Sequence, residues 1–586
     1  MSLHPLDPAT PWEIQRATNL VKKAYEGTEL HFKAAGLEEP PKRGLVPFLD
    51  TERNNHPLPL ISRYISLWYI KRTPRLFEVI VDVTDIQFIH HAELPRDFHG
   101  PVNSLEMNEA VQVVMADPRV KEEIKRLKIG DTTVVLGPWD YGVDGEETQR
   151  RRTQIEQHLV FMYMRNPKNN DPDSNHYGFL LDFMVTVDLS EMKVEKITRL
   201  PLGSDQTATP IGSPPEGASF AVKGRLIQWG KWRFRVGFDW REGMTLHDVS
   251  FDGKNTFYRL CLSQMFVTYG DPRNPIYRKG AFDLGNVGAG VTANNLMSMA
   301  VSLRKDAGPA PRPNVICIHE IDNGIQRKHT NHRTGKAALT FETRATGILS
   351  TQLINKDAKV PWGTPVADGV MAPYHQHLFN LRIDPADAYI NPLGTGYITE
   401  QTILNRAGPV GDDISKGRVF TILNENVENP VSLTPIGYKL VSHRPQMLLV
   451  QPASWHWRRS ESCETPIWVT KYNDRQLFPA GNYTNQSLGG TGIKSWIEKS
   501  RDVVRNEDIV VWHTFGFTHN PCVEDFPIML AEIAQVRLVP YNFCLYNPAI
   551  DVPPSNQDSN QSTEYKAPEG SQSSTPSDCF GNCRSY

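Results

Sequence analysis

Residues 232–241 read Trp-Arg-Phe-Arg-Val-Gly-Phe-Asp-Trp-Arg, and this stretch indicates the fold most directly. Large apolar side chains occupy every second position, and the positions between them are charged or glycine. Because successive side chains of a strand point to opposite faces, the pattern predicts a strand with one half-buried face and one solvated or polar face. Similar short strands, separated by Gly, Pro, Asn and Asp turns, continue to about residue 545. We therefore expect a large, mainly antiparallel β-sandwich over residues 223–550.

The beginning of the chain has a different pattern. Residues 10–13, Thr-Pro-Trp-Glu, predict a helix start, since threonine with glutamate three residues later forms a capping box and proline suits the first helical position. Residues 77–83 alternate between apolar and polar side chains and predict a strand. A helix followed by strands indicates an N-terminal α+β domain, which we expect over residues 1–97.

The same order recurs in the following segment. Residues 105–127 predict a helix that is interrupted near Asp117-Pro118. Residues 158–164 and 183–187 then predict strands. We expect a second α+β domain over residues 98–200.

Two segments read as connections or tails. Residues 201–222 are rich in Gly, Ser, Thr and Pro and predict a linker in front of the sandwich. Residues 551–586 are rich in Ser, Gln, Pro and Asn and have little to bury, so a disordered tail is expected there.

Composition excludes several classes of protein. The 586 residues are 39% hydrophobic and 22% charged, which is ordinary for a folded chain. With 63 Lys and Arg against 66 Asp and Glu, the net charge is −3, so no basic surplus favours nucleic-acid binding. The sequence contains no apolar run that would span a membrane and no secretory signal at its start. An intracellular protein is therefore expected.

A His-x-His motif gives the sharpest chemical signal. His375 and His377 stand two residues apart in an apolar run, so on a strand they would project from one face and could bind one metal ion. Imidazole pairs suit copper or zinc. A third ligand could come from His513 or His519, which spacing alone does not separate. Other histidine pairs in the chain carry no such context: His90 with His91, and His329 with His332.

Several ordered runs resemble the catalytic domain of copper amine oxidases. The resemblance covers nearly all of residues 5–550 and is closest to the fungal branch of that family. It rests on these runs: residues 232–243, 257–260, 267–272, 281–285, 344–350, 375–377 and 512–521.

The resemblance implies a copper centre. His375 and His377 match two copper ligands on one strand, and His519 matches the third. His513 falls on a position that is not a ligand in the family.

The resemblance also implies roles for four acidic or aromatic residues. Asp283 matches the general base that removes the α-proton of the substrate amine, and Tyr269 matches the tyrosine that hydrogen-bonds the quinone cofactor. Asp384 and Asp508 match a peripheral calcium-type site. Ala386 replaces one acidic residue of that site, which weakens it.

The activity implied is the oxidation of a primary amine by dioxygen to an aldehyde, ammonia and hydrogen peroxide. The family implies a homodimer and the cofactor topaquinone, which forms from a tyrosine in an Asn-Tyr-(Asp/Glu) motif. Fungal relatives also suggest a peroxisome, although the chain ends in Arg584-Ser585-Tyr586 rather than a Ser-Lys-Leu address. A cytoplasmic or peroxisomal compartment is expected.

The cofactor tyrosine is missing from its expected place. In the family it lies between the segments matched by residues 322–335 and 345–347, but here only a short stretch joins them, and its residues from Lys336 to Glu342 contain no tyrosine. Asn482-Tyr483 is followed by Thr484 instead of an acid and matches a different family segment.

The chain departs from the family pattern at two further positions before this joining stretch. Asn286 stands where the family often has Asp, and Arg327 replaces a usual Trp. Loss of a strand pair would also leave neighbouring strands unpaired.

Three interpretations follow. The first is a primary amine oxidase that needs the missing block. The second is a copper-binding inactive homologue, or a truncated or misspliced product. The third is a β-sandwich binding module with a structural zinc, although three-histidine sites usually keep an open catalytic position.

Overall fold

The structure is a computed structural model. It describes residues 4–54, 56–71, 75–101, 104–130, 132–141, 157–165, 170, 179–199, 221–229, 231–239, 241–282, 299–303, 309–313, 316, 328–329, 332–333, 338–356, 358–385, 403–443, 445–452 and 454–546. The chain divides into one large unit, residues 1–321 with 338–545, and a small one, residues 322–337 with 546–586.

Strands dominate the described ranges. The α-helices there are α1 Pro11–Ala24, α2 Lys42–Arg53, α3 Ser104–Ala116, α4 Pro118–Arg126, α5 Trp455–Arg459 and α6 Ile493–Ser500. Short 3-10 helices lie at Ile276–Arg278, Ile414–Lys416, Glu461–Glu464 and Val523–Asp525.

The strands run in chain order as follows: β1 Leu30–Glu38, β2 Tyr64–Lys71, β3 Leu76–Asp82, β4 Gln87–Glu93, β5 Val134–Asp140, β6 Gln157–Met164, β7 Leu180–Asp188, β8 Lys193–Arg199, β9 Ala221–Lys223, β10 Leu226–Trp229, β11 Trp232–Asp239, β12 Gly243–Phe251, β13 Lys254–Tyr269, β14 Gly280–Phe282, β15 Met299–Leu303, β16 Pro309–Pro313, β17 Lys328–His329, β18 His332–Arg333, β19 Leu339–Ile348, β20 Gln352–Leu353, β21 Gly363–Ala367, β22 Val370–Pro373, β23 His375–Pro385, β24 Gly408–Val410, β25 Phe420–Asn429, β26 Thr434–Ser442, β27 Ile467–Lys471, β28 Ile509–His519 and β29 Ile528–Tyr541.

The first helix forms where the sequence predicts it. Thr10 is the N-cap of α1, and its side chain accepts a hydrogen bond from the Glu13 backbone while the Glu13 carboxylate bonds back to Thr10. The apolar stripe of α1 packs on the sheet β1-β2-β3-β4, which runs antiparallel. Helix and sheet share one buried core, as expected for an α+β unit.

A second region of helices followed by strands comes next in the chain. Pro118 ends the first helical run at the predicted point, so α3 stops at Ala116 and α4 begins at Pro118 with Asp117 as its N-cap. Both helices contribute to a core over the antiparallel sheet β5-β6-β7-β8. The predicted strands at residues 158–164 and 183–187 fall within β6 and β7.

Two antiparallel sheets form the large remaining part of the first unit. One has the order β24-β27-β28-β23-β13-β12-β11-β10-β9, with β14 added on β13, and the other has the order β19-β29-β26-β25. Side chains from both sheets enter a common core, among them Leu260, Leu381 and Phe515 from the large sheet and Val536 and Leu538 from the small one. The expected α+β domains and sheet-rich β-sandwich are therefore present.

The polar face of β11 is covered rather than solvated. Arg233 and Arg235 both pair with Glu52 at the end of α2, and Arg233 also pairs with Asp248 on β12. Paired carboxylates make burial of these guanidinium groups tolerable, so a polar strand face need not reach water.

β19 begins within the short stretch that joins the two family-matched segments, and it lies at the edge of its sheet, bonded to β29. An edge strand has one row of unpaired backbone groups, and the loss of a neighbouring strand at this place stays a prediction. Most of the expected linker, residues 201–220, lies outside the described residues, as does all of the expected tail, residues 551–586. The last two linker residues, Ala221 and Val222, belong to β9. Among the described helices, none is long and apolar enough to cross a bilayer.

Candidate metal centre and amine oxidase site

Three strands bring the predicted ligands together. On β23, His375 stands directly opposite Tyr269 of β13 on one side and His519 of β28 on the other. Opposite residues of antiparallel strands share one face of the sheet, and His377 shares that face because it is two residues further along β23. The register therefore places three imidazoles and one phenol ring side by side.

The ring distances are those of direct neighbours. The centroid of the His375 ring lies 5.0 Å from that of His377, 4.9 Å from that of His519 and 5.4 Å from that of Tyr269. His375 and His519 are both buried. Within the described ranges no three His, Cys, Asp or Glu side chains already stand as a complete ligand set, so coordination by all three rings requires rotation of side chains.

Hydrogen bonds decide which ring nitrogens remain for a metal. Nδ1 of His375 lies 3.0 Å from the Pro373 carbonyl oxygen, and Nε2 of His519 lies 3.0 Å from the Asp525 carboxylate. Buried Nε2 of His377 has no hydrogen-bond partner. Metal-bound histidines characteristically use their second nitrogen in this way, so the three imidazoles fit a copper ion.

Burial keeps two of these rings neutral. It lowers the pKa of His375 to about 3, with a further contribution from His377, and lowers the pKa of His377 to about 4, helped by His519. Both are deprotonated at pH 7, which is the form whose lone pair binds a metal ion.

The other histidines lie elsewhere. His513 stands on β28 six residues before His519, roughly 20 Å along the strand, and its Nδ1 lies 2.9 Å from the Pro466 carbonyl oxygen. His91 lies within hydrogen-bond distance of the Tyr69 hydroxyl, on the N-terminal sheet. His329 pairs with His332 in a two-strand hairpin of the small unit. Geometry favours His519 over His513.

Three residues that the sequence analysis missed support this site. Asp525 holds His519, and a carboxylate soon after a metal-binding histidine is a signal that could have indicated it. Lys279 donates a hydrogen bond to Ser350, and its ammonium lies 5.0 Å from the centroid of the Tyr269 ring. Burial lowers the pKa of Lys279 to about 7 and raises that of Tyr269, which also bonds to Ser350.

Other predicted residues are distributed as follows. Asp283 lies outside the described residues, immediately after β14, which pairs with β13 beside Tyr269. Asn286, Arg327 and Ala386 lie outside them as well.

The tyrosine of the Asn-Tyr-Thr run belongs to another region. Tyr483 stacks on Phe98 with ring centroids 4.8 Å apart, and its hydroxyl donates to Glu78 over 3.0 Å. These two partners of Tyr483 belong to the N-terminal part of the chain and not to the histidine row.

The predicted calcium-type site concerns Asp384 and Asp508. Asp384 stands on β23 in register with Arg259. Asp508 accepts a hydrogen bond from the Lys42 ammonium over 2.7 Å, and that ammonium lies 4.6 and 4.4 Å from the ring centroids of Tyr258 and Tyr472. A lysine on Asp508 already supplies positive charge there, which disfavours calcium at this carboxylate.

Calcium or a chelator is accordingly expected to leave the melting temperature unchanged. Lys42→Met should lower stability by about 1–2 kcal/mol, since it removes an ion pair and two cation–π contacts. Lys471→Met, which breaks the exposed pair with Glu507, is the matched control and should cost less than about 1 kcal/mol. Stabilisation of the parent chain by calcium in a thermal melt would contradict this expectation.

The fold and site define a β-sandwich protein with a buried histidine row of the type that binds copper. The family model for the copper amine oxidase enzyme domain matches residues 221–341 and 335–559, and that for the copper amine oxidase N3 domain matches residues 105–206. The chain belongs to the copper amine oxidase family, whose enzymes are oxidoreductases acting on primary amines.

Individual copper amine oxidases are similar to this chain over nearly its whole length. "Copper amine oxidase 1" of Aspergillus niger is 32% identical over 653 positions, covering 94% of this chain and 97% of the relative. "Peroxisomal primary amine oxidase" of Pichia angusta is 30% identical, covering 93% and 91%. The solved copper-containing benzylamine oxidase of Hansenula polymorpha is 33% identical, with a TM-score of 0.86 and coverage of 94% and 100%. These relatives support primary amine oxidation as the function.

The comparisons also bear on the gap. An alignment of 653 positions exceeds the 586 residues of this chain, so the Aspergillus relative carries residues that this chain lacks. The two matched parts of the enzyme-domain model meet within residues 335–341, which is the segment where the cofactor tyrosine was expected.

Proposed function

We propose that this protein oxidises primary amines with dioxygen through a copper centre held by His375, His377 and His519. The observation that carries the proposal is the alignment of these three imidazoles beside Tyr269 on adjacent strands. Copper held there would supply one-electron chemistry with dioxygen, which side chains alone do not provide. The protein's own residues hold the ring tautomers and exclude water.

Topaquinone does not fit the chain as printed. Its precursor is a tyrosine, and the sequence has none between Tyr277 and Tyr374. We infer that the segment missing between Thr334 and Leu349 normally supplies it, and that activity requires this segment. The competing proposal, an inactive copper-binding homologue, predicts that a restored segment brings no activity. A structural zinc module predicts zinc rather than copper in the purified protein.

Asp283 is the proposed general base that removes the α-proton of the substrate amine. In a chain whose missing segment is restored from the Pichia angusta relative, Asp283→Asn should lower kcat by roughly 10²- to 10⁴-fold, the usual contribution of a general base. Copper content and the visible quinone band should stay unchanged, which separates lost chemistry from lost cofactor. Asp252→Asn, in an exposed turn, is the control. Unchanged kcat in Asp283→Asn would remove this residue from the mechanism.

The proposed assembly is a homodimer, which the resemblance to copper amine oxidases implies, and two-fold dimers are the commonest closed oligomers of soluble proteins. Multi-angle light scattering of the purified chain should give twice the mass of 66.3 kDa. A monodisperse monomer with a cooperative melt would contradict the dimer.

The proposed compartment is the cytoplasm or the peroxisome, and relatives from Pichia angusta and Nicotiana tabacum carry the word peroxisomal in their names. The substrates proposed are a primary amine and dioxygen, with no nucleic-acid partner.

A further inference from the structure

A cavity of about 180 Å³ lies between the N-terminal sheet and the strands β11 to β13. It is separate from the histidine row. Arg259, which lines the cavity, and Tyr269, which borders the histidines, are both on β13 and ten residues apart, which corresponds to roughly 30 Å. A cavity of about 150 Å³ can hold a benzene-sized molecule.

The lining has an excess of acidic groups. Its carboxyl side chains are Glu38, Glu39, Glu78, Asp239, Glu242 and Asp474, against the guanidinium groups of Arg241, Arg259 and Arg475. The arginines are already engaged: for example, Arg259 donates to Glu242 and Glu39, and Arg475 donates to Glu38 and Glu78. Without Asp239, whose raised pKa favours its neutral form, five carboxyl groups still face three guanidinium groups, so the lining favours a cation.

A buried histidine gives an independent indication. His247 is 3% exposed and lines the cavity, and its Nδ1 has no hydrogen-bond partner, while its Nε2 lies 3.0 Å from the Thr245 hydroxyl oxygen. A buried polar atom without a partner is costly, and a ligand donor would relieve that cost. Burial lowers the pKa of His247 to about 4, so the ring is neutral and can accept a hydrogen bond.

Asp239 can become a further anion of the cavity when a cation binds. Its carboxyl group accepts hydrogen bonds from the Arg241 and Glu242 backbone over 2.7 Å each. Burial, together with the charge of Glu242, raises the pKa of Asp239 well above its usual value. A cation bound nearby would favour the ionised form of Asp239.

Apolar groups make up the other part of the lining, including Leu37, Trp68, Phe238 and Phe478. We propose that this cavity binds a primary ammonium ion on a small apolar body, with the ammonium near Glu39, Asp239 and His247 and the apolar body against Trp68 and Phe238. The site does not depend on copper or on the missing segment.

The test is calorimetric titration of the full-length chain with benzylamine. We expect saturable binding at one site per chain, and no binding of benzyl alcohol, which has nearly the same shape without the ammonium group. Glu39→Gln should weaken benzylamine about tenfold or more, since it removes a charge-assisted hydrogen bond. Absence of saturable binding, or equal binding of the alcohol, would overturn the proposal.

Two further variants locate the binding. Ala34→Leu fills the cavity without changing its charge and should abolish binding, whereas Ala531→Leu on an exposed part of β29 should not. A melting temperature close to that of the parent chain verifies the fold of each variant. His375→Ala should bind benzylamine as the parent does. Loss of binding in His375→Ala, with retention in Ala34→Leu, would place the amine at the histidine row and refute the cavity site.

Discussion

The chain as printed, fully loaded with copper, is expected to release no hydrogen peroxide from benzylamine or methylamine. The reason is chemical: an unactivated amine has an α-proton too weakly acidic for a carboxylate, and no side chain of the protein accepts the electrons. With its carbonyl cofactor absent, turnover should fall by roughly 10⁶-fold or more relative to a competent enzyme, below detection. Phenylhydrazine titration should give no coloured adduct.

Restoring the segment is the decisive comparison. Inserting the residues that the Pichia angusta relative carries between the positions of Thr334 and Leu349 should produce a visible chromophore, a phenylhydrazine adduct and peroxide release. A coloured adduct in the printed chain would instead reveal a substitute tyrosine. Tyr374, next to His375 and partly exposed, would be the first candidate, tested by Tyr374→Phe.

Copper content should depend on three histidines and not on a fourth. Replacing His375, His377 or His519 by Ala is expected to lower copper affinity by about 100-fold or more, because each supplies one nitrogen of a small ligand set. Asp525→Asn should cost about 10- to 100-fold, since it only orients His519. Copper is measured by mass spectrometry of metals after dialysis against a copper buffer.

His513→Ala is the matched control for these variants. It lies on the same strand as His519, is also buried and has its own hydrogen bond to Pro466. Its copper content should equal that of the parent chain. Full occupancy in His519→Ala, with loss in His513→Ala, would show that the third ligand has been assigned to the wrong histidine.

Local patterns in the sequence predicted much of the fold. The capping box at Thr10, the break at Pro118 and the alternation from Trp232 onward lie in α1, between α3 and α4, and in β11. These features depend on neighbours within a few residues, so the sequence carries them directly. Period-two spacing likewise places His375 and His377 on one strand face, and the ordered runs identified the copper amine oxidase family.

The sequence alone did not show which residues lie opposite one another on neighbouring strands or which side chains meet between separate elements. The proposed choice of His519 over His513 rests on the register of β23 with β28, which sets His519 opposite His375 and His513 opposite Leu381. Asp525 approaches His519 only because the chain turns back after β28. Such contacts are set by hydrogen-bond register and packing, which spacing along one strand does not encode.

Long-range packing also changed the expected chemistry of two regions. Lys42, 466 positions from Asp508 in the chain, takes the place expected for a cation at that carboxylate. The acidic cavity likewise combines residues of β1 and β3 with residues of β11 to β13. The sequence by itself determined local elements such as the start of α1 and the alternation in β11, the family, and the absence of a tyrosine where the family has its cofactor precursor. Only the tertiary structure decided which distant charges meet, because contacts between elements form when separate apolar faces are buried together.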